Sequence, residues 1–314
     1  MAKTTFKRGT RDSFFDALFP IAQADRSIVL VTADCGAPSL DQFRTALPGQ
    51  YITVGIAEQN MIAVAAGLAL AGKKPFCYAI APFASLRCYE QIKVDLCSMR
   101  LAVTVLGVGA GLSYDIMGPT HHTTEDISIM RALPGMQVYT PSDSIMGAGL
   151  ARLVCELPGP KYVRFDREVF LSVYPERTDF SVGVSALREG KDVCLVASGI
   201  MVHSALRVAE ILKAKGMEAG VVDLYRPVPV NGDALVKLLS GYKKVVTIEE
   251  HFLPGGIGEA VRVLFSERDI PKRMLSVGLP HKYLFEYGGR KNLHELAGLD
   301  DQGLSRRILA FAES

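Results

Sequence analysis

The chain has 314 residues, of which 49% are hydrophobic and 22% are charged, and its formal net charge is +2. This length is sufficient for two domains with cores of their own. The basic residues are scattered and nearly balanced by acidic ones, which argues against nucleic acid or an anionic membrane surface as a partner. The amino-terminal segment lacks the apolar core of a signal peptide, and no apolar run reaches the about 20 residues that span a bilayer. We therefore expect a cytoplasmic location.

Strand-like and helical patterns alternate in the first half of the chain, which is typical of a parallel sheet flanked by helices. The patterns predict helices over residues 10–24, 83–97, 125–133 and 142–155, and strands over 27–32, 51–54, 74–80, 101–107, 136–140 and 161–165. Residues 167–190 are less periodic and carry mixed charge, so we interpret them as a connection.

The alternation restarts after this connection. It predicts strands over residues 192–197, 219–224, 244–249 and 272–277, and helices over 201–215, 231–240, 257–265 and 304–311. The sequence thus predicts an α/β fold of two consecutive domains with mostly parallel, helix-flanked sheets. We place the domains at residues 1–175 and 191–314, with a linker at 176–190.

A carboxylate begins the most apolar helical segment. After the short strand 51–54 the chain reads VGIAEQN, and residues 61–72 are entirely uncharged. A helix that is apolar on every side belongs in a protein core or a subunit interface. Glu58 in its first turn either complements the helix dipole or, lacking a basic partner nearby, is a buried acid that holds a proton for chemistry.

A second candidate site follows the strand 101–107. The loop GLSYDIMGPTHHTTEDI places His121 and His122 at the carboxyl end of a strand and beside a helix amino terminus, where open α/β sheets bind ligands. Each histidine either faces a ligand or makes a structural hydrogen bond. A metal site is not expected, because adjacent side chains diverge and no third ligand follows.

Glycine-rich stretches and cysteines give weaker signals. Residues 107–111 lack the spacing of a dinucleotide fingerprint. Residues 255–258 precede a helix and either cradle an anion or allow close packing, and we favour packing. The six cysteines form no C-x-x-C pair and lie mostly in apolar runs, so we predict neither disulfides nor a metal site.

The motifs VGIAEQN, GPTHH, VVDLYRP and IEEHFLPGGIGEAV, in this order, resemble the carboxyl-terminal half of transketolases. The resemblance covers residues 5–312. It implies a domain that holds the aminopyrimidine ring of thiamine diphosphate, followed by a smaller carboxyl-terminal domain. The activity it implies is transfer of a two-carbon ketol unit from a ketose to an aldose.

The resemblance also implies roles for single residues. Glu58 is similar to the acid that drives the aminopyrimidine toward its imino form, which then removes the thiazolium proton. Phe83 matches the aromatic residue that stacks on the pyrimidine, with Ile80 and Leu86 as apolar walls and Asp34 as an acidic residue near the cofactor. His121 matches a histidine that holds the donor's oxygen atoms or assists proton transfer.

Substrate recognition is less similar to the family. Relatives that act on sugar phosphates often carry an acid before the G-P-T-H turn and a His or Arg earlier in that loop, where this chain has Met117, and Gly109 with Ala110. His122 and Arg164 are the further candidates for binding sugar or sugar-phosphate substrates, with Arg164 as a phosphate clamp or a solvated edge-strand residue.

A motif of full transketolases is missing. The diphosphate and its Mg²⁺ are held in the family by G-D-G and a downstream Asn, whereas here Gly232 and Asp233 are followed by Ala234. The resemblance therefore implies one subunit of a split transketolase, completed by an amino-terminal subunit with the G-D-G motif, in an α2β2 heterotetramer with the 61–72 helix near the interface.

Other functions stay open at this point. A deoxyxylulose-phosphate-synthase-like decarboxylating condensation shares VGIAEQ and a T-H-H turn, but those enzymes are usually single long chains. The beta subunit of a 2-oxoacid dehydrogenase is also part of a split enzyme, but its usual H-S-Q loop is missing. A non-catalytic stabilising subunit would need neither Glu58 nor Phe83, and a nicotinamide-binding protein would need a proper glycine fingerprint.

Overall fold

The computed structural model describes residues 8–314, and their contacts divide them into two compact units. The first unit comprises the described residues up to Ala110 together with Ile129–Ser181, and the second comprises Gly111–Ser128 with Val182–Ser314. The loop that carries His121 and His122 therefore belongs by its contacts to the second unit, although it interrupts the first unit in chain order. The change from one unit to the other at Ser181 lies inside the predicted linker.

Within residues 8–314, the first unit has a sheet of six parallel strands in the order β2-β1-β3-β4-β6-β5. Its strands are β1 (Ile28–Thr32), β2 (Tyr51–Thr53), β3 (Lys74–Ile80), β4 (Thr104–Val108), β5 (Gln137–Tyr139) and β6 (Lys161–Phe165). Every residue of β1, β4 and β6 is buried, because helices cover the sheet.

The helices of the first half are α1 (Thr10–Ala24), α2 (Asp41–Ala46), α3 (Glu58–Leu70), α4 (Ala81–Ser85), α5 (Tyr89–Gln91), α6 (Asp126–Arg131) and α7 (Ser144–Glu156). Helix α1 packs closely on α7, since Gly147 has no side chain and a Cβ there would lie 2.3 Å from the Thr10 carbonyl oxygen. The Asp143 carboxylate caps α7 by accepting from Met146 N–H at 2.8 Å.

The second unit has a mixed sheet. Among the described residues its five strands have the order β11-β10-β8-β9-β7, with β7 antiparallel to β9 and the other pairs parallel. The strands are β7 (Ser185–Arg188), β8 (Val193–Ala197), β9 (Ala219–Asp223), β10 (Lys244–Phe252) and β11 (Arg273–Leu279). The helices are α8 (Met201–Ala214), α9 (Gly232–Leu239), α10 (Ile257–Glu267), α11 (Gly289–Ala297) and α12 (Asp301–Glu313).

The predicted fold class is confirmed, with differences in detail. The single helix expected over 83–97 is instead α4, α5 and a π-helix, Ile92–Ser98, because the chain leaves the α conformation between them. The connection 167–190 contains β7, a short edge strand whose burial is only partial and which alternation therefore did not reveal. Helix α11 was also not predicted, since its sequence is mostly polar. In the part of the chain that the structure describes, no helix combines the length and apolarity needed to cross a membrane.

Candidate active site

The candidate cofactor residues lie where parallel strands of the first unit end. Asp34 follows β1, Glu58 follows β2, and Phe83 follows β3. Since β1 is flanked by β2 on one side and by β3 on the other, the chain changes direction across the sheet at β1. Ligands of open α/β sheets bind outside the carboxyl ends of the strands at such a switch point. The topology therefore brings these three residues to one edge of one sheet.

Glu58 is the first residue of α3 and is only 2% exposed. Its Oε2 accepts a hydrogen bond from Nη1 of Arg87 at 2.7 Å. The expectation that Glu58 lacks a basic partner is therefore wrong. The partner lies 29 residues further along the chain and is brought close by β3 and the helical segment after it, so local sequence could not reveal it.

Arg87 also contacts Phe83. Its guanidinium carbon lies 4.0 Å from the centre of the Phe83 ring, a cation–π distance. One planar, nitrogen-bearing group thus stacks on an aromatic face and donates to a buried carboxylate at the same time. The Glu58 carboxylate and the Phe83 ring are therefore close enough to be contacted together by one flat group of this size.

The other predicted cofactor residues border this pair with different exposure. Ile80 ends β3 and is partly buried, whereas the Leu86 side chain is 40% exposed. Asp34 is exposed and has a left-handed backbone with φ of 55°, a conformation that Asp tolerates better than most residues. These side chains are accessible to a molecule from outside the chain.

Helix α3 has a second apolar face. Met61, Ile62 and Ala65 are fully buried, but Ala63 and Leu70 are exposed. Ile56, just before the helix, is 76% exposed. The sequence predicted a protein core or a subunit interface for this helix. The core of this chain buries one side of the helix, and the other side is exposed.

Arg164 lies on β6, between β4 and β5, and is 6% exposed. It is therefore not a solvated residue of an edge strand. Arg167, two residues after the strand ends, is exposed. Arg164 is the next-to-last residue of β6, so it lies near the carboxyl end of the strand. Asp34 and Phe83 lie at the same edge of the sheet.

The two histidines of the second unit have different surroundings. His121 is partly buried, its Nδ1 lies 2.9 Å from the Thr120 hydroxyl oxygen, and its ring centre lies 5.7 Å from that of Tyr114. His122 is 4% exposed, and its Nε2 donates to the Asp115 carbonyl oxygen at 3.3 Å. Burial lowers the pKa of His122, which favours a neutral imidazole. His121 is therefore the more accessible of the two histidines.

The glycine-rich turn before α10 is filled by the chain itself. The Glu249 carboxylate accepts from Ile257 N–H at 2.8 Å and from Gly258 N–H at 3.0 Å. A Cβ at Gly256 would lie 2.0 Å from the Glu249 Oε2. The close approach of this internal carboxylate explains Gly256, and close packing against the Ser128 and Ser276 side chains explains Gly255 and Gly258. The carboxylate also occupies amides that an external anion would need.

A buried charge cluster next to this turn was not predicted. Glu250 is buried on β10 and pairs with Arg290 and His294 of α11. Burial alone would raise the pKa of Glu250, but the Arg290 guanidinium and hydrogen bonds from Arg290 and His294 hold it well below its usual value. The two adjacent acids of the motif IEEH are the sequence signal for this cluster. The partner Arg290 could not be identified from local sequence, because it lies 40 residues away.

Comparison with known proteins identifies two domains along the chain. Residues 7–170 match the pyrimidine-binding domain of transketolase, and residues 183–304 match the transketolase C-terminal domain. The chain is 36% identical over 307 residues to a subunit of the apulose-4-phosphate transketolase of Phocaeicola vulgatus, a match that covers 96% of this chain and 97% of that protein.

Two further matches differ in how much of the similar protein this chain covers. A solved chain described as "Split gene transketolase, inactive beta4 tetramer" superposes with a TM-score of 0.88 at 34% identity, covering 97% of this chain and 98% of that one. The 1-deoxy-D-xylulose-5-phosphate synthase of Synechococcus elongatus is 34% identical over 304 residues, but the match covers 94% of this chain and only 47% of that protein.

Proposed function

The chain belongs to the transketolase family, and we propose that it is the subunit of a split transketolase that contributes Glu58 and Phe83 to the site of thiamine diphosphate. Dependence on thiamine diphosphate follows from the family. The complete enzyme transfers a two-carbon ketol unit from a ketose donor to an aldose acceptor. Residues 1–175 serve as the pyrimidine-binding domain and 191–314 as the carboxyl-terminal domain, and residues 176–190 connect them and add the edge strand β7 to the second sheet. The observation that carries the proposal is the nearly complete mutual coverage with a protein that is itself named as one subunit of a transketolase.

The residues present fit the aminopyrimidine ring. In this structure the Arg87 guanidinium stacks on Phe83 and donates to Glu58, which are the two contacts that a flat ring bearing nitrogen atoms needs. Arg87 has a side chain that is 42% exposed, so it can turn toward solvent when such a ring takes its place. Ile80 and Leu86 then wall the ring, and Asp34 lies near the same strand ends.

When bound, thiamine diphosphate supplies the electron sink that allows the carbon–carbon bond of the ketose to break and re-form. With the cofactor bound in place of Arg87, the Glu58 carboxyl group would share a proton with the pyrimidine. Its burial removes competing water, which strengthens this hydrogen bond and fixes its direction. Phe83 orients the ring through its face.

His121 is the substrate-binding and proton-transferring residue of this proposal. Its partial exposure supports contact with the donor's oxygen atoms, and Thr120 orients its ring. His122 assists from within the same loop, and Arg164 offers a guanidinium to a phosphorylated substrate. Met117 is 51% exposed where relatives carry an acid, so this chain supplies an apolar surface there.

A second polypeptide completes the enzyme. This chain lacks the G-D-G motif, so the partner's G-D-G and Asn hold the diphosphate and Mg²⁺. Within residues 8–314, no three His, Cys, Asp or Glu side chains are gathered as metal ligands are. The exposed apolar side of α3 supports an interface there, and we propose an α2β2 heterotetramer in the cytoplasm.

The experiment compares the chain alone with the chain and its partner subunit. We expect turnover and tight thiamine diphosphate binding only for the complex, as a related chain is described as an inactive beta4 tetramer. Hydroxypyruvate and pyruvate, offered together as donors, separate ketol transfer from the synthase-like condensation and from a 2-oxoacid dehydrogenase, because both alternatives use a 2-oxoacid that lacks the hydroxyl group, such as pyruvate. Turnover by the chain alone, or preference for pyruvate, would refute the proposal.

A matched pair of variants tests the catalytic role against that of a non-catalytic subunit. Glu58→Gln keeps the size of the side chain but removes the acid, and should lower turnover by about 10²- to 10⁴-fold. Glu90→Gln changes an exposed acid of α5 and should leave turnover unaltered. Equal activity of both variants in the assembled complex would favour a scaffold role.

A further inference from the structure

We infer that the buried cluster of Glu250, Arg290 and His294, together with Asp115, is a clamp that holds the His121 loop in one conformation. The positioning of His121 for the donor rests on the proposed function, whereas the clamp itself rests on contacts within the second unit. All four residues and the loop belong to this unit. The cluster would thus give the carboxyl-terminal domain a part in catalysis through positioning residues.

Glu250 is the centre of the clamp. Its Oε2 accepts from the Leu112 N–H at 2.9 Å and from Nη2 of Arg290 at 2.7 Å, and its Oε1 accepts from Nε of Arg290 at 2.9 Å. His294 Nε2 also hydrogen-bonds to Oε1. One carboxylate therefore joins the first residues of the loop to helix α11, with a two-point guanidinium contact that fixes the orientation.

The backbone of the loop is shaped to meet this carboxylate. Gly111 has a left-handed φ of +58°, and a Cβ there would lie 1.9 Å from Oε2 of Glu250. Gly111 and Thr123 exchange backbone hydrogen bonds of 3.0 and 2.8 Å, which close the loop at its base. Contacts that hold Gly111 and Leu112 in place therefore hold the start of the loop that carries the two histidines.

A second attachment lies nearer the histidines. The Asp115 Oδ2 accepts from the Arg290 N–H at 2.9 Å, and the Asp115 carbonyl oxygen accepts from His122 at 3.3 Å. Arg290 thus reaches the loop both through the Glu250 carboxylate and through its own backbone. The contacts run from α11 through Asp115 to His122, the residue next to His121.

Stability alone is a weak explanation for such a cluster. Removing two charges from water costs free energy that their attraction often only balances, and apolar replacements of similar volume are frequently as stable. Hydrogen-bonded ion pairs instead favour one geometry over its alternatives. Here that geometry is the approach of the loop to α11, which accounts for a charge pair at a buried place.

Hydrogen–deuterium exchange of the isolated chain tests the clamp directly. Glu250→Gln weakens the carboxylate contacts to Leu112 and Arg290, and should speed amide exchange over residues 111–122 by about 10-fold or more. Glu249→Gln is the matched control, because Glu249 is the adjacent buried residue of β10 but bonds to Ile257 and Gly258. It should speed exchange at 257–258 and leave 111–122 nearly unchanged. Unaltered loop exchange in folded Glu250→Gln, or the same increase in both variants, would overturn the inference.

Asp115→Ala is the milder variant, since Asp115 is only partly buried. The variant also keeps the backbone carbonyl oxygen that accepts from His122. It should speed exchange of residues 114–122 by about 3-fold or more even if Glu250→Gln does not fold. In the assembled enzyme, either variant should raise KM for the donor while leaving thiamine diphosphate binding unchanged. Faster loop exchange with unchanged KM and kcat would support the clamp but refute the substrate role of His121, so the two claims fail separately.

Discussion

Replacing Arg87 with Met tests the geometry at Glu58 without any partner subunit. The change leaves a carboxylate that is only 3% exposed without the guanidinium that now lies 2.7 Å from it. We expect the free energy of unfolding to fall by about 1–3 kcal/mol, because a buried charge that loses its partner is strongly disfavoured.

The magnitude follows from the exposure of the two side chains. Two unit charges 2.7 Å apart attract by about 6 kcal/mol at an effective dielectric constant of 20. Arg87 is 42% exposed, so water screens much of this attraction and the value must be discounted. The amino terminus of α3 also stabilises Glu58 by roughly 0.3–1 kcal/mol, which the variant retains.

Urea unfolding at pH 7, followed by circular dichroism, measures the effect. Arg44→Met is the control, since Arg44 pairs with Asp41 at 2.9 Å but both side chains are about two-thirds exposed, at 65% and 68%; it should cost at most about 0.5 kcal/mol. In the double variant Glu58→Gln/Arg87→Met the loss should be less than the sum of the single losses. Equal stability of Arg87→Met and the wild type, with no coupling to Glu58, would refute the reasoning.

Two predictions concern other buried charges. Burial lowers the pKa of Lys161 from 10.5 to about 8, so the folded chain binds fewer protons than the unfolded chain between these pH values. The free-energy cost of burying the charged Lys161 side chain is complete below pH 8 and is relieved as the pH rises. The stability of the wild type should therefore increase by about 3 kcal/mol relative to Lys161→Met from pH 7 to 10.5. A stability difference that stays constant over this range would contradict the prediction. Glu249→Gln should cost about 2 kcal/mol in urea unfolding, because Ile257 N–H and Gly258 N–H donate to different oxygens of Glu249 and a Gln amide offers only one oxygen in their place, whereas Glu267→Gln at the exposed end of α10 should cost less than about 0.5 kcal/mol; equal losses would contradict it.

Much of the fold follows from local periodicity. Helix α1 and strands β3 and β6 have the predicted bounds, because each is an uninterrupted pattern with clear ends. Strand β7 escaped prediction since it is a short antiparallel edge, where burial does not alternate cleanly. The helix expected after β3 is interrupted between Ser85 and Tyr89 and continues as a π-helix at Ile92–Ser98, which propensity does not indicate.

The candidate site was predictable where a single segment carries the signal. The burial of Glu58 follows from the apolar helix it begins, and the position of Phe83 from the strand before it. Arg87 could not be identified as the partner of Glu58, and the bond from Leu112 to Glu250 joins residues 138 apart. Such contacts form only when the chain folds, and the local sequence around either partner does not indicate them.

The central claim is that Glu58 assists removal of the reactive proton of bound thiamine diphosphate. The direct measurement is the rate at which the proton on the thiazolium carbon exchanges with deuterium in the assembled complex, with the wild-type chain and with Glu58→Gln. The account predicts that the variant binds the cofactor but exchanges this proton about 10²- to 10⁴-fold more slowly. An equal exchange rate in both complexes would contradict it.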